Sequence, residues 1–178
     1  MRAANTLKKE IPGLQLLIHA ADEWGSDDAA LTQCRHDIAI ADIVVATMLF
    51  LDEHVRAVLP DLEARRAKCD ALVCCMSAGE AVRLTRMGKL DMSSQAKGAM
   101  SWLKSLRGKK TGNGSSGKGQ MKLLRQLPKI LRFIPGAAQD LRAYFLVMQY
   151  WLNGSDENIA NLIRLLVQRY AAGPRADD

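Results

Sequence analysis

The sequence has few of the side chains that stack on nucleic-acid bases, coordinate metals or cross membranes. Aromatic residues make up 5% of the 178 residues, and the chain has only 3 histidines. No run of eighteen or more apolar residues occurs, so we expect no transmembrane helix. The basic residues at the N-terminus are not followed by an apolar segment, so we expect no secretory signal. These absences favour a cytoplasmic protein.

Cysteine is also scarce, and its spacing is not that of a metal site. The 4 cysteines are Cys34, Cys69, Cys74 and Cys75. No Cys-x-x-Cys spacing is present, so we expect no bound metal. The adjacent pair lies in the apolar run DALVCCMSA, which is typical of a buried strand. We therefore expect reduced thiols that pack in the core as small apolar side chains.

Apolar runs that alternate with helical patterns occupy the first half of the chain. Strands are predicted at Leu14–Ala21, at Ile43–Val45 and at Ala71–Met76. Helices are predicted at 3–10, at 27–40 after a Ser26 cap, at 51–68 and at 81–87. Pro60 is expected to kink or divide the third of these helices, because proline removes a backbone hydrogen bond.

Strands that are apolar throughout and alternate with helices indicate an α/β protein with a parallel sheet covered on both faces. We therefore predict a small Rossmann-like or flavodoxin-like sheet. Such sheets usually begin with a strand, whereas this chain begins with a helical pattern. For this reason we expect the sheet to lack its first strand.

The C-terminal stretch from 121 to 171 predicts a helical hairpin packed on the same domain. Its apolar residues recur at steps of three and four on both sides of Asn153-Gly154-Ser155. Gly154 suits the end of one helix, and Ser155 suits the cap of the next. The domain organisation that we predict has an α/β layer at 1–89, a linker at 90–120, the hairpin at 121–171 and a disordered tail at 172–178.

The predicted linker is rich in Gly and Ser and is strongly basic. No Asp or Glu occurs between Met92 and Gln139, while Lys109 and Lys110 lie at the centre of a basic tract. The tract is either an anion-attracting surface, with these two lysines as candidates for docking a partner, or a solvated loop beside a helix face. Only Trp102 and Phe133 accompany its charges, so we expect no nucleic-acid partner.

Within the linker, the segment at 112–119 reads GNGSSGKG and approximates a phosphate-binding loop. That motif requires a preceding strand and a Ser or Thr after the lysine. Gly119 occupies the hydroxyl position, and the preceding residues are basic rather than apolar. We interpret the segment as a linker.

The turn after the last predicted strand is the candidate ligand site. Ligands of open α/β sheets collect at the carboxyl ends of the strands, where helix N-termini receive anions. Gly79 permits close approach, and the other candidate ligand-binding residues are Ser77, Glu80, Arg83 and Arg86. The alternative is that the serine caps a helix and the arginines line an exposed face. No catalytic residue can be assigned from spacing.

Two long phrases resemble a known family. CDALVCCMSAGEAVRLTRMGKLDMS, at 69–93, and the stretch from QMKLLRQLPKILRFIPG to LLVQRYA, at 120–171, are similar to the N-terminal region of the large H subunit of magnesium chelatase. That subunit is related to the large subunit of cobaltochelatase. The resemblance covers the chain from about Leu14 to Ala171.

The resemblance implies a role in (bacterio)chlorophyll biosynthesis. Within the whole enzyme, the chain would contribute to binding protoporphyrin IX and to docking the AAA+-type ATPase subunits that drive Mg²⁺ insertion with ATP. Its partners would also include the remainder of the large subunit. The region shared with cobaltochelatase lies downstream, so no catalytic or metal residue carries over. We expect a fragment that does not insert metal alone; the alternative is a non-catalytic protein–protein interaction module that uses the basic tract.

Overall fold

The computed structural model describes residues 2–93 and 137–172. Several sequence predictions therefore lie outside the described residues. These are the predicted linker around Lys109 and Lys110, the first part of the predicted hairpin at 121–136, and the predicted tail after 172.

The sheet has four strands in the order β1-β2-β3-β4. They are β1 (Ile43–Thr47), β2 (Ala71–Cys75), β3 (Arg86–Met87) and β4 (Leu90–Asp91). β1 and β2 are parallel, with Ile43 opposite Ala71, whereas β2–β3 and β3–β4 are antiparallel. The α/β class is confirmed, but the sheet is mixed rather than parallel throughout. Its fourth strand, β4, ends at Asp91.

The predicted helix at 81–87 is wrong, because the chain turns back after a single helical turn. Gly88 has a φ of +55°, in the left-handed region that favours glycine. This conformation lets residues 86–91 form a tight β-hairpin beside β2. Over so short a segment, the spacing of apolar residues does not distinguish a helix from a β-hairpin.

Six α-helices surround the sheet in the described part of the chain. They are α1 (Arg2–Glu10), α2 (Asp28–Ile40), α3 (Asp52–Arg66), α4 (Gly79–Val82), α5 (Ala137–Asn153) and α6 (Asp156–Tyr170). A short 3-10 helix spans Ala21–Glu23. The strand predicted at Leu14–Ala21 is wrong: residues 14–20 have neither helix nor strand structure. Apolar residues alone do not form a strand, since a strand also requires a hydrogen-bonded neighbour.

The cap of α2 differs from the prediction, and one of the two effects expected of Pro60, a divided helix, is absent. Asp27, not Ser26, caps α2: its carboxylate accepts hydrogen bonds from the N–H groups of Ala29 and Ala30, at 2.8 and 3.2 Å. Pro60 does not divide α3, which runs unbroken to Arg66. Pro60 is exposed, so water can satisfy the carbonyl that loses its partner there.

Alternate residues of β2 face two separate cores, and all five are buried. Ala71, Val73 and Cys75 pack with α5 and α6. Leu72 and Cys74 pack with α2 and α3 on the opposite face. The result is a three-layer arrangement with the sheet in the middle, and it explains the continuous apolar sequence of this strand.

The predicted helical hairpin is confirmed as α5 and α6. Gly154 has a φ of +61°, and the Ser155 Oγ accepts a hydrogen bond from the Asn158 N–H at 3.2 Å. α1 packs against α6, where the Arg164 guanidinium binds both carboxylate oxygens of Glu10, at 2.8 and 2.9 Å. This ion pair ties the first helix of the chain to the last.

Candidate functional site

The loops that follow β1 and β2 are joined by a small hydrogen-bond network. The Met48 N–H donates to the Met76 carbonyl at 3.0 Å, and the Ala78 N–H donates to the Leu49 carbonyl at 2.7 Å. The Ser77 Oγ accepts from the Leu49 N–H at 3.2 Å and donates to the Cys75 carbonyl at 3.0 Å. Ser77, predicted as a helix cap or a ligand donor, therefore binds one loop to the other.

Each loop begins with a methionine in a left-handed backbone conformation. Met48 has a φ of +62° and Met76 a φ of +50°. A non-glycine residue in this region costs on the order of 1–3 kcal/mol, so the surrounding contacts must fix it. The two residues occupy equivalent places, each directly after a strand, and they turn both loops in a similar way. Nothing in the sequence signalled this geometry.

A pocket of about 360 Å³ lies beside the paired loops. The first turns of α3 supply one wall, and α4 with the residues around it supplies the other. The lining residues are Asp52, Val55, Arg56, Ala78, Gly79, Glu80 and Arg83. A cleft with few apolar side chains and charges of both signs suits a polar or amphipathic ligand group.

Gly79 lines the pocket and leaves free space beside its backbone. A Cβ built on Gly79 meets no atom within 4 Å, so the space beside its backbone is free for a ligand. The helix that begins here, α4, has only four residues. The dipole of so short a helix is small and attracts an anion only weakly. Anion binding at this pocket would therefore depend on the side chains of Arg56 and Arg83.

The loop after β1, which leads into the pocket residue Asp52, exposes several apolar side chains. Met48, Phe50 and Leu51 are 52%, 56% and 55% exposed, and Leu51 directly precedes the pocket residue Asp52. Adjacent exposed apolar side chains of this size are typical of a binding surface. The sequence predictions did not include this loop. The rule that ligands collect at the carboxyl ends of strands applies to the loop after β1 as well as to the loop after β2.

The structure brings three of the five predicted ligand residues together at the pocket: Gly79, Glu80 and Arg83. Ser77 is not a lining residue of the pocket; it belongs to the hydrogen-bond network between the two loops. Arg86 lies on β3, where its Nη1 donates to the carbonyls of Arg66 and Cys69, at 3.1 and 3.3 Å. It is thus placed to fix the backbone at the other end of β2. The docking candidates Lys109 and Lys110 lie outside the described residues.

The four cysteines are buried in the described structure, and all are free thiols. Burial, with a smaller contribution from the charges of Asp37 and Asp61, raises the pKa of Cys34 to about 11. Burial similarly raises the pKa of Cys74 to about 12. These thiols are protonated at neutral pH and are therefore poor nucleophiles and metal ligands.

Within residues 2–93 and 137–172, no group of three or more His, Cys, Asp or Glu side chains is arranged to hold a metal ion. Two histidines make structural contacts. The His19 Nε2 lies 2.9 Å from the Asp37 Oδ2, and the His54 ring packs edge-on against Trp24 with centroids 5.9 Å apart. The described helices include none that is both long and apolar enough to cross a bilayer.

Comparison with known proteins matches residues 1–145 to the family described as "Domain of unknown function (DUF3479)". The chain is 52% identical over 171 residues to the magnesium-chelatase H subunit of Cereibacter sphaeroides, and 48% identical over 170 residues to the magnesium-chelatase H subunit of Rhodobacter capsulatus. The chloroplastic magnesium-chelatase ChlH subunit of Oryza sativa subsp. indica is 27% identical over 179 residues.

The two bacterial matches cover 96% of this chain but only 14% of each relative. The rice match covers 100% of this chain and 13% of the relative. The similarity lies in the N-terminal region of these subunits. The chain therefore corresponds to a small part of the curated relatives.

Proposed function

The chain belongs to the family described as Domain of unknown function (DUF3479), and from this we propose that it acts as an N-terminal domain of a magnesium-chelatase H-type subunit. The observation that carries the proposal is the 52% identity over 96% of the chain. Identity at this level, over nearly every described helix and strand, supports a shared fold and a shared place within the subunit. The proposed role is to contribute to porphyrin binding and subunit docking.

The pocket beside the β1 and β2 loops is the part of this domain that best suits a porphyrin. Protoporphyrin IX is a flat apolar macrocycle that carries propionate groups on one edge. Met48, Phe50 and Leu51 offer exposed apolar surface for the macrocycle, and Arg56 and Arg83 offer cations for the carboxylates. A pocket of 360 Å³ is at the lower end of the range of about 300–1,000 Å³ for ligand sites, so it would take the propionate edge alone.

Metal insertion is not part of the proposed role of this chain. The resemblance places the region shared with cobaltochelatase downstream, and it assigns ATP hydrolysis to separate AAA+-type subunits. Mg²⁺ and ATP would act in the complete enzyme, in which this domain would hold or enclose the porphyrin. An insertion assay in which the chain replaces the intact subunit should yield no magnesium porphyrin.

A titration of the 178-residue chain with protoporphyrin IX tests the porphyrin role. Tryptophan emission should be quenched saturably, at low and at moderate salt alike, because the apolar contacts are not screened. Replacing Arg83 by glutamine should weaken binding about tenfold, since it removes one charge-assisted hydrogen bond. A chain that is folded by circular dichroism yet gives no saturable quenching would contradict the proposal.

The matched control for the titration is Lys68→Gln. Lys68 is an exposed cation near the amino end of β2, whereas the pocket lies at the carboxyl end of that strand. Its removal changes net charge by the same amount as Arg83→Gln. Equal weakening in both variants would indicate non-specific attraction of a basic chain for an acidic ligand.

Docking of the ATPase subunits is the second part of the proposal. The observation that supports it is the absence of acidic residues between Met92 and Gln139, with Lys109 and Lys110 at the centre of the tract. Steering by such a tract should weaken steeply with salt. Replacing both lysines by glutamine should reduce capture of the ATPase subunits, and unchanged capture would exclude these residues as the contact.

A further inference from the structure

β1 has one edge that no described strand covers. Among residues 2–93 and 137–172, β1 pairs only with β2. All five residues of β2 are buried, whereas in β1 only Val44 is buried and the other four are partly exposed. This difference is expected when one strand has neighbours on both sides and the other has a neighbour on one side only.

The backbone groups that face the open edge can be identified from the ladder. The Asp42 carbonyl accepts a hydrogen bond from the Asp70 N–H at 2.8 Å, so Asp42 directs its carbonyl toward β2. Successive residues of a strand direct their backbone groups to opposite edges. The N–H and C=O groups of Ile43, Val45 and Thr47 therefore face away from β2.

The β1 residues at this edge lack the side chains that usually prevent strand pairing. The sequence of β1, IVVAT, contains no charged residue and no proline. Proteins usually protect an edge strand with lysine, proline or a bulge, because an unprotected row of backbone groups recruits another strand. The open edge of β1 is thus competent to pair.

Exposed apolar side chains lie on the segments of the chain that precede β1. Ile40, the last residue of α2, is 57% exposed and stands three residues before β1. The His19–Asp37 contact holds the segment containing Leu17 and Ile18 against the last turns of α2. Leu17 and Ile18 are 52% and 65% exposed. An added strand that reaches Ile40 would cover apolar surface as well as backbone.

We propose that the open edge of β1 is a docking site for an extended apolar peptide strand, which would join the sheet as its fifth strand. An extended backbone presents the regular row of donors and acceptors that pairs with the backbone groups of Ile43, Val45 and Thr47. Helices cover both faces of the sheet, so successive side chains of the incoming strand must be apolar, as they are in β2.

The remainder of an H-type subunit is a source for such a strand, because this chain spans only 14% of its bacterial relatives. This assignment of the source rests on the proposed function. The pairing itself rests only on the geometry of β1. Porphyrin titration and strand binding are separate measurements, so failure of one is distinguishable from failure of the other.

The test is amide hydrogen exchange by NMR on the 178-residue chain, with a synthetic peptide as probe. The peptide has consecutive Val and Ile residues between terminal lysines and is acetylated and amidated. In the free chain, the amides of Val45 and Thr47 should exchange rapidly, and saturating peptide should slow them by about tenfold or more. The amides of Val44 and Ala46, already paired with β2, should not change.

A peptide with proline at its central position is the matched ligand control, because it lacks a backbone donor, and it should not bind. Val45→Pro is the matched protein variant: the lost N–H faces the open edge, so the β1–β2 ladder keeps its bonds while peptide binding is lost. If that variant does not fold, exchange in the unmodified chain decides the question.

Two hydrogen-exchange results would overturn the proposal. Slow exchange at Val45 and Thr47 without peptide would mean that the edge is already covered, and no slowing with saturating peptide would mean that it does not accept a strand. Sedimentation of the chain alone should show a monomer. A concentration-dependent dimer that Val45→Pro abolishes would make a second copy the occupant and overturn the peptide assignment.

Discussion

Gly88 and Asp140 are in direct contact, although the first lies in the β3–β4 turn and the second in the first turn of α5. A Cβ built on Gly88 would lie 2.7 Å from the Asp140 Oδ2. The same oxygen accepts a hydrogen bond from the Lys89 N–H at 2.8 Å, and Oδ1 accepts one from the Tyr170 hydroxyl at 2.8 Å. The buried carboxylate therefore joins the hairpin of the sheet to both C-terminal helices.

Replacing Gly88 by alanine should destabilise the fold by about 1–3 kcal/mol, from the left-handed backbone alone. The new methyl group would also displace the Asp140 carboxylate from its hydrogen bonds. Urea denaturation, monitored by circular dichroism, measures the decrease in the free energy of unfolding. Gly25→Ala is the control, because a Cβ there meets no atom within 4 Å and Gly25 does not have a positive φ. Equal stability of the two variants would contradict the assigned contact.

Replacing Thr85 by valine should destabilise the fold by about 1–3 kcal/mol. The Thr85 side chain is fully buried, and its Oγ1 both accepts from the Cys74 N–H and donates to the Cys74 carbonyl, each at 3.0 Å. Valine keeps the shape but leaves the N–H without a partner. The free energy of unfolding in urea is the measurement.

Thr32→Val is the control for the Thr85 variant. The Thr32 Oγ1 donates to the Asp28 carbonyl, in an exposed turn of α2 where water can replace the bond. Its loss should change stability by less than about 0.5 kcal/mol. If Thr85→Val is as stable as this control, the buried hydroxyl does not support β2.

The thiols of the native chain should react slowly with an aromatic disulfide reagent at about pH 8, close to the usual pKa of a free thiol. Burial raises the pKa of Cys74 to about 12 and also raises the pKa values of Cys69 and Cys75, so little thiolate is present. Unfolding in urea should release all 4 thiols. A Ser26→Cys variant, with a thiol at an exposed position, should react rapidly and serves as the positive control. Rapid reaction of several native thiols would contradict the described burial.

The stability of the fold should fall in acid, partly because of Asp91. Partial burial raises its pKa, but hydrogen bonds from Ser93 and the positive charge of Arg66 outweigh that effect, so the folded-state pKa lies below its usual value. The ionised form is thus favoured by folding. Its contribution is complete above the unfolded pKa of about 3.9 and is lost as the pH falls through the lower folded value.

The Asp91→Asn variant tests this pH dependence. Its urea midpoint should be lower than that of the unmodified chain near neutral pH, and the difference should shrink as the pH falls below about 4. Asp22→Asn, at an exposed position of the 3-10 helix, is the control and should track the unmodified chain. A constant difference between Asp91→Asn and the unmodified chain across this pH range would exclude Asp91 as the titrating group.

The site was predictable to the extent that it follows from strand order. Buried apolar strands at 43–45 and 71–76 are evident from sequence, and ligands collect at the carboxyl ends of such strands, so the sequence points to Gly79, Glu80 and Arg83, which line the pocket. Arg86 is grouped with them in the prediction because residues 81–87 are expected to form one helix, whereas Arg86 lies on β3. Asp52 and Arg56 were missed, because their place in the pocket depends on how the loops after β1 and β2 pair.

The sequence by itself determined the features that depend on near neighbours in the chain. The buried strands, the Gly154 and Ser155 boundary between α5 and α6, and the apolar setting of the cysteines all follow from local spacing and local hydrogen bonds. Only the tertiary structure decided the mixed order of the sheet, the left-handed methionines and the unpaired segment at 14–20. Each of these depends on contacts between residues far apart in the sequence, such as Asp140 with Gly88, and no local pattern encodes the partner.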